Sequence, residues 1–232
     1  FTDPTLPALD PAGGKALALM PMTAARLPVP PGLVLTVCFF EPWIETLKQS
    51  PAWGGLTRGE DISQTARTLQ ALCRSLELTP AQRSELEAAL ATFCAEHGAG
   101  LFAVRSSSPE EDLEGASFAG GYETTLGARL ESLEAAIRHS FASSFDERVF
   151  IYKKERGFRI DQPRIAVVIQ QQVDAEAAGV AFSLNPLNNC YDEAVINANY
   201  GLGESVVAGE ADPDLFVVDR LRGEIIETRV GA

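Results

Sequence analysis

Phe102-Ala103-Val104-Arg105-Ser106-Ser107-Ser108-Pro109-Glu110-Glu111-Asp112 is the stretch where the chain changes character. Leu101–Arg105 is an apolar run that ends in an arginine, the pattern of a buried strand delivering a cation to its sheet edge. The planar guanidinium suits phosphate oxygens, and the hydroxyls of the serines behind it add donors. The same arginine reads equally as a structural partner of Glu110, Glu111 or Asp112. Ser106 to Gly115 is polar and acidic, a loop. Before this stretch the apolar spacing is helical; beyond it strands come to dominate. That order predicts an α+β fold with a helix-rich first part and a sheet-rich second part.

Toward the N-terminus, Thr79-Pro80 opens a helix, with Thr as N-cap and Pro at the first helical position. Leu86, Leu90, Phe93 and Cys94 share its face, and Gly98 and Gly100 end it. Asp61 to Glu77 is a helix with Ile62, Ala66, Leu69, Leu72 and Leu76 on one side. Ser50 to Gly59 holds Pro51, Gly54 and Gly55 and reads as a loop, with a short helix at Glu41–Lys48 and a short strand at Leu33–Val37 before it. Gly13-Gly14-Lys15 opens a helix-like run, Ala16 to Arg26, which Leu27-Pro28-Val29-Pro30-Pro31-Gly32 stops because prolines deny helix hydrogen bonds. The first dozen residues, with Pro4, Pro7 and Pro11, read as an extended lead-in.

Toward the C-terminus, Ala116–Leu126 reads as strand–turn–strand, and Leu130–Phe141 and Asp146–Glu155 as amphipathic helices. Five strand candidates follow: Ile165–Gln170, Gly179–Leu184, Glu193–Ala198, Leu215–Asp219 and Glu224–Arg229, the last two joined by the turn Leu221-Arg222-Gly223. The expected organisation is a lead-in over 1–12, a helix-rich lobe over 13–160 and a sheet-rich lobe over 161–232, with a soft boundary near residue 160.

The chain has 232 residues, 46% apolar and 22% charged, an ordinary globular composition that excludes disorder as the main state. Its net charge of −13 argues against a nucleic-acid surface, though a phosphate site needs only a few local donors. No apolar run approaches the ~18 residues of a membrane helix. No secretory signal is visible, so no membrane partner and a cytoplasmic location are expected. The first residue is Phe1, which suggests a fragment, a processed form or trimmed numbering. Cys38, Cys73, Cys94 and Cys190 lie far apart and read as reduced core residues, and His97 and His139 offer no histidine-rich metal site.

Several short motifs bear on chemistry. Gly13-Gly14-Lys15 ahead of a helix combines start-of-helix amides with a mobile charge, but lacks the Walker A spacing; it reads also as a surface lysine. Ser117 to Thr124 is a glycine turn whose backbone can approach a polyphosphate, or an ordinary hairpin. Ile165–Gln170 runs into Gln171 and Gln172, and such a strand edges a purine slot or closes a core. Gly201-Leu202-Gly203-Glu204 lacks the third glycine of a dinucleotide fingerprint, with Val206 in its place, and the Rossmann reading is rejected.

Taken in order, eight blocks form a series: Gly13-Gly14-Lys15; Pro28 to Gly32; Phe102 to Asp112; Ala116-Ser117-Phe118-Ala119-Gly120; Ala166 to Gln170; Gly179-Val180-Ala181-Phe182-Ser183; Gly201 to Glu204; Pro213-Asp214. The series resembles the nucleotide-binding domain of the phosphoenolpyruvate synthase (pyruvate, water dikinase) family, which pyruvate phosphate dikinase and rifampin phosphotransferase share. The resemblance runs from about residue 12 to the end. It implies a two-lobed ATP-grasp fold that binds ATP and Mg2+. In that family ATP phosphorylates a histidine on a separate swivelling domain, and the phosphohistidine passes the group to pyruvate or to an antibiotic.

By this resemblance Lys15 is the N-terminal phosphate-binding lysine and Arg105 the phosphate-clamping arginine, the pair expected to be catalytic. Gly120, Gly121 and Thr124 fall at the glycine loop near the phosphates. Gln170 falls at the adenine-binding strand, Gln171 and Val173 at the adenine edge through their backbones, and Glu204 in a block near the nucleotide. Gly121 stands where many members carry glutamine, which removes a side-chain donor. The family's acidic magnesium ligands lie in a region past the position of Ala232, so the metal ligands are unknown and the sheet-rich lobe is expected to be incomplete. The phosphohistidine domain and the acceptor-binding domain are both expected to lie outside this chain. The leading expectation is therefore the ATP-binding portion of a dikinase, inactive in isolation and weak for ATP. The alternative is a non-catalytic nucleotide-binding or regulatory module that retains the fold.

Overall fold

The apolar run at residues 166–171 forms one of the two inner strands of the sheet about which the first part of the molecule is arranged. The computed structural model describes residues 1–2, 9–109, 124–209 and 212–231. It divides into two units, Phe1–Gln172 and Val173–Ala232.

The first unit carries β1 (Gly32–Leu35), β2 (Phe102–Ser107), β3 (Thr124–Ala128) and β4 (Ala166–Gln171) in the order β1-β4-β2-β3, all pairs antiparallel. Placing β4 between β1 and β2 carries the first unit to Gln172, past the soft boundary expected near residue 160. Alternate residues of these strands serve two faces. Phe102, Val104, Val167 and Ile169 enter a core with Phe40, Trp43, Phe141, Phe145 and Phe150. Phe141 is its centre, with its ring 5.1 Å from those of both Phe40 and Trp43. On the other face Val168 packs against Ala12 and Ala16 of α1 (Leu9–Ala24).

Helices α2 (Glu41–Lys48), α4 (Ile62–Arg74), α5 (Pro80–His97), α6 (Leu133–Ala142) and α7 (Glu147–Glu155) fall close to the expected spans. The Thr79 cap is reciprocal: its hydroxyl accepts from Gln82 N, and Gln82 Oε1 accepts from Thr79 N. Two expectations are corrected. Residues 51–58, read as a loop, are helix α3 (Pro51–Arg58): Ser50 caps it, Pro51 occupies the tolerated first turn, Trp53 and Leu56 are buried, and Gly59 ends it at φ 68°. The lead-in is not extended to its end, because α1 begins at Leu9 and kinks at Gly13 (φ 75°, ψ 167°).

The second unit is a meander of β5 (Ala177–Phe182), β6 (Glu193–Tyr200), β7 (Asp214–Asp219) and β8 (Glu224–Arg229), antiparallel in the order β5-β6-β7-β8. A short helix, α8 (Glu204–Ala208), lies between β6 and β7. All five strand candidates past Arg164 are thus strands. Val195, Leu215 and Val217 form a small core, while β8 is exposed along its length. Asn185 and Asn188 both donate to Glu193 Oε2 (2.7 and 3.0 Å), closing the β5–β6 connection. Among the described residues no helix is long and apolar enough to cross a membrane. Of the cysteines read as core, Cys73 is buried, Cys94 and Cys190 are half-buried, and Cys38 is exposed.

Candidate functional site

Strand alternation and register set the candidate residues. Arg105 of β2 lies opposite Val168 of β4 on one side and Thr124 of β3 on the other. Val168 is on the α1 face, so Arg105, Thr124, Ser107 and, opposite Ala103, Gln170 belong to that face as well. Lys15 lies in α1, just past the kink. The sheet and its helix therefore bring Lys15, Arg105, Thr124 and Gln170 to one side of the first unit. Arg105 is half-buried, and its side chain makes no hydrogen bond or ion pair with any described residue. Its rival partners Glu110, Glu111 and Asp112, and the loop residues Gly120 and Gly121, lie outside the described residues. Thr124 is exposed beside it.

The start of α1 is bound tightly to the end of β2. Ser107 Oγ donates to the Ala12 carbonyl (2.8 Å) and accepts from Ala16 N–H (3.2 Å), while Gly14 N–H donates to the Ser108 carbonyl (3.3 Å). A Cβ on Gly13 would stand 2.1 Å from the Ser107 carbonyl oxygen, so this approach admits only glycine. The amides of Gly14 and Ala16, read from the sequence as start-of-helix donors, are thus already engaged by the end of β2. Of the serines after Arg105, all three are buried and two have engaged hydroxyls: Ser107 as above, and Ser108, whose Oγ donates to the Arg164 carbonyl (3.1 Å). Ser107 was legible as a residue of the Arg105 face from period-2 alternation alone; its tie to a helix 91 residues away was not.

On the adenine side, Gln170 is 6% exposed and its Nε2 donates to the Pro30 carbonyl (2.9 Å), which leaves Oε1 as its uncommitted atom. Gln171 is half-buried on the opposite face of β4, and its backbone N–H is held by the Pro31 carbonyl (2.9 Å). Val173 opens the second unit and is exposed, and Glu204 is the exposed first residue of α8. Among the described residues no three His, Cys, Asp or Glu side chains gather as metal ligands.

Comparison with known proteins bears on this arrangement. Residues 9–232 match the family described as pyruvate phosphate dikinase, AMP/ATP-binding domain. Curated relatives include a "Probable phosphoenolpyruvate synthase" of Methanocaldococcus jannaschii, 34% identical over 96% of this chain and 19% of the relative. An "Uncharacterized phosphotransferase YvkC" of Bacillus subtilis is 35% identical over 95% of the chain and 25% of the relative. A "Prodigiosin synthesizing transferase PigC" of Serratia marcescens is 35% identical over 94% of the chain and 23% of the relative. The chain spans between 19% and 33% of the length of the curated phosphoenolpyruvate synthases it matches.

Proposed function

The chain belongs to the pyruvate phosphate dikinase AMP/ATP-binding domain family, and from that membership we propose that it binds ATP with the polyphosphate on the α1 side of its first sheet. Arg105 takes two phosphate oxygens through its fork, Lys15 adds a mobile charge, and Thr124 adds a hydroxyl beside them. Gly120 and Gly121 are assigned to the phosphates from the family resemblance. Gln170, through its side-chain carbonyl oxygen, serves the adenine. In a longer protein like its relatives, ATP held this way phosphorylates a histidine on another domain, from which pyruvate or another acceptor receives the group. The relatives' names differ in product yet share this segment, which supports assigning the segment to the common ATP step. Little covalent chemistry falls to these residues; they position the phosphates and neutralise their charge.

One observation carries the reading: a half-buried arginine with no described partner, on the sheet face that also carries the helix of Lys15. Calorimetric titration of ATP into the wild-type chain, Arg105→Lys and Arg105→Ala tests it. The lysine keeps the charge but loses the two-point fork, so ATP affinity should fall about tenfold, and further in Arg105→Ala. Unchanged affinity in Arg105→Ala, with the fold intact, would overturn the assignment.

A further inference from the structure

Ala12 and Ala16 stand four residues apart in α1, the spacing at which a helical N–H meets its own carbonyl. Across the Gly13 kink the Ser107 hydroxyl reaches both groups, donating to the Ala12 carbonyl at 2.8 Å and accepting from Ala16 N–H at 3.2 Å. The hydroxyl is supplied by another element, and it is fully buried (0% exposed), as are Ala12 (1%) and Ala16 (0%). The serine lies two residues from Arg105, roughly 6–7 Å along the strand. The amide it holds belongs to the residue next to Lys15.

We infer that Ser107 is a positioning residue of the phosphate site: its hydroxyl ties the Ala12 carbonyl and the Ala16 N–H of α1 to the end of β2 and so fixes the direction in which α1 presents Lys15 relative to Arg105. The inference rests on the proposed phosphate role of Lys15 and Arg105 and adds a cause for their mutual placement. Without the hydroxyl, two relaxations compete. The start of α1 shifts off β2, which moves Lys15 relative to Arg105. Otherwise the buried Ala12 carbonyl and Ala16 N–H each lose a hydrogen-bond partner in place. Gly13 and Gly14 favour the bridged form. The Ser107 carbonyl sits where a Gly13 Cβ would be, and Gly14 N–H bonds the Ser108 carbonyl, so the segment is gripped on both sides of the serine.

The test compares dissociation constants for ATP and for adenosine, which lacks phosphate, in the 232-residue chain. The variants are Lys15→Ala, Ser107→Ala and the double substitution. Expected is a loss of about 5- to 10-fold in ATP affinity for Ser107→Ala, with adenosine affinity unchanged, the size set by a buried hydrogen-bonding site left unfilled. In the Lys15→Ala background the serine substitution should cost less than about twofold further, because its effect runs through the lysine. If Lys15→Ala leaves ATP binding intact, or wild type binds no ATP, the phosphate-site reading falls and the serine's role falls with it. If Lys15→Ala weakens ATP but Ser107→Ala does not, the positioning role alone is overturned. The same holds if Ser107→Ala weakens ATP and adenosine alike, or adds in full to Lys15→Ala. Should Ser107→Ala fail to fold, Ser107→Cys, close in size and a weak hydrogen-bonder, takes its place with the same outcomes.

Discussion

Substituting Gly13 by alanine probes the junction of α1 and β2 directly, and the structure supplies its own control. Gly13 adopts φ 75° with ψ 167°, and Gly98, which ends α5, adopts nearly the same backbone (φ 81°, ψ 162°). An L-residue in this region costs about 1–3 kcal/mol at either position. The surroundings differ. A Cβ at Gly98 meets nothing within 4 Å, whereas at Gly13 it meets the Ser107 carbonyl oxygen at 2.1 Å, a backbone atom that no side-chain rotation can remove. Relieving that overlap means drawing α1 off β2 and loosening the bonds of Gly14, Ala16 and Ala12 to Ser107 and Ser108. At about 0.5–1.5 kcal/mol each these add roughly 2–4 kcal/mol. Gly13→Ala should therefore cost about 3–6 kcal/mol, a large part of a domain's usual 5–15. Both of the chain's tryptophans, Trp43 and Trp53, are buried in the first unit, so their fluorescence in urea reports that unit alone. With a slope near 2 kcal/mol per M, the midpoint should drop by about 1.5–3 M for Gly13→Ala and about 0.5–1.5 M for Gly98→Ala. Equal drops would refute the close packing of Gly13 on Ser107.

Gln82→Ala should cost about 2–4 kcal/mol by the same assay, because it removes a cap and also the donor to the buried Phe39 carbonyl (2.6 Å); Thr79→Ala should cost about 1. Phe141→Ala, which empties the position between Phe40 and Trp43, should cost about 3–5 kcal/mol. In the second unit, the amide donors Asn188 and Asn185 hold the Glu193 carboxyl below the usual carboxylate range. A lowered folded value means that its stabilising contribution is present above the unfolded value and lost as pH falls through the folded one. Protection of the Leu187 and Cys190 amides, corrected for intrinsic exchange, should therefore fall on acidification, and Glu193→Gln should abolish that pH dependence.

Much of the element pattern was legible because it rests on local rules. The strands past Arg164 follow from β-branched runs bounded by turn residues, and the start of α5 follows from Thr79, Pro80 and Gln82. Helix α3 was missed because Pro51, Gly54 and Gly55 count as breakers in isolation. In place, the proline sits in the first turn, and a Cβ on Gly55 would already be 3.3 Å from the Glu60 carboxylate. At the candidate site, the shared face of Arg105, Thr124 and Gln170 follows from alternation once the strand register is known. The partners do not: Gln170 to Pro30 spans 140 residues and Ser107 to Ala12 spans 95. Hydroxyls and amides read as free ligand donors are consumed by contacts of that range, which no local pattern encodes.

The placement of β4 also governs when the first sheet can form. Translation releases β1 and β2 well before residues 166–171, the one segment that hydrogen-bonds to both. Until then β1 has no strand neighbour among the described residues, and the rows of Gly32–Leu35 and Phe102–Ser107 that will face β4 stand as open edges, the kind of exposure that invites intermolecular pairing. Bringing β4 between them closes loops of more than a hundred residues on the β1 side and of about sixty on the β2 side, the high contact order that slows folding. The second unit has the opposite character. Each of its strands pairs with its immediate successor in the chain, so it can zip hairpin by hairpin as it emerges. The slow phase of folding thus belongs to the unit that carries Lys15 and Arg105, and a nascent chain halted before residue 166 already holds both residues but still lacks the strand that joins β1 to β2.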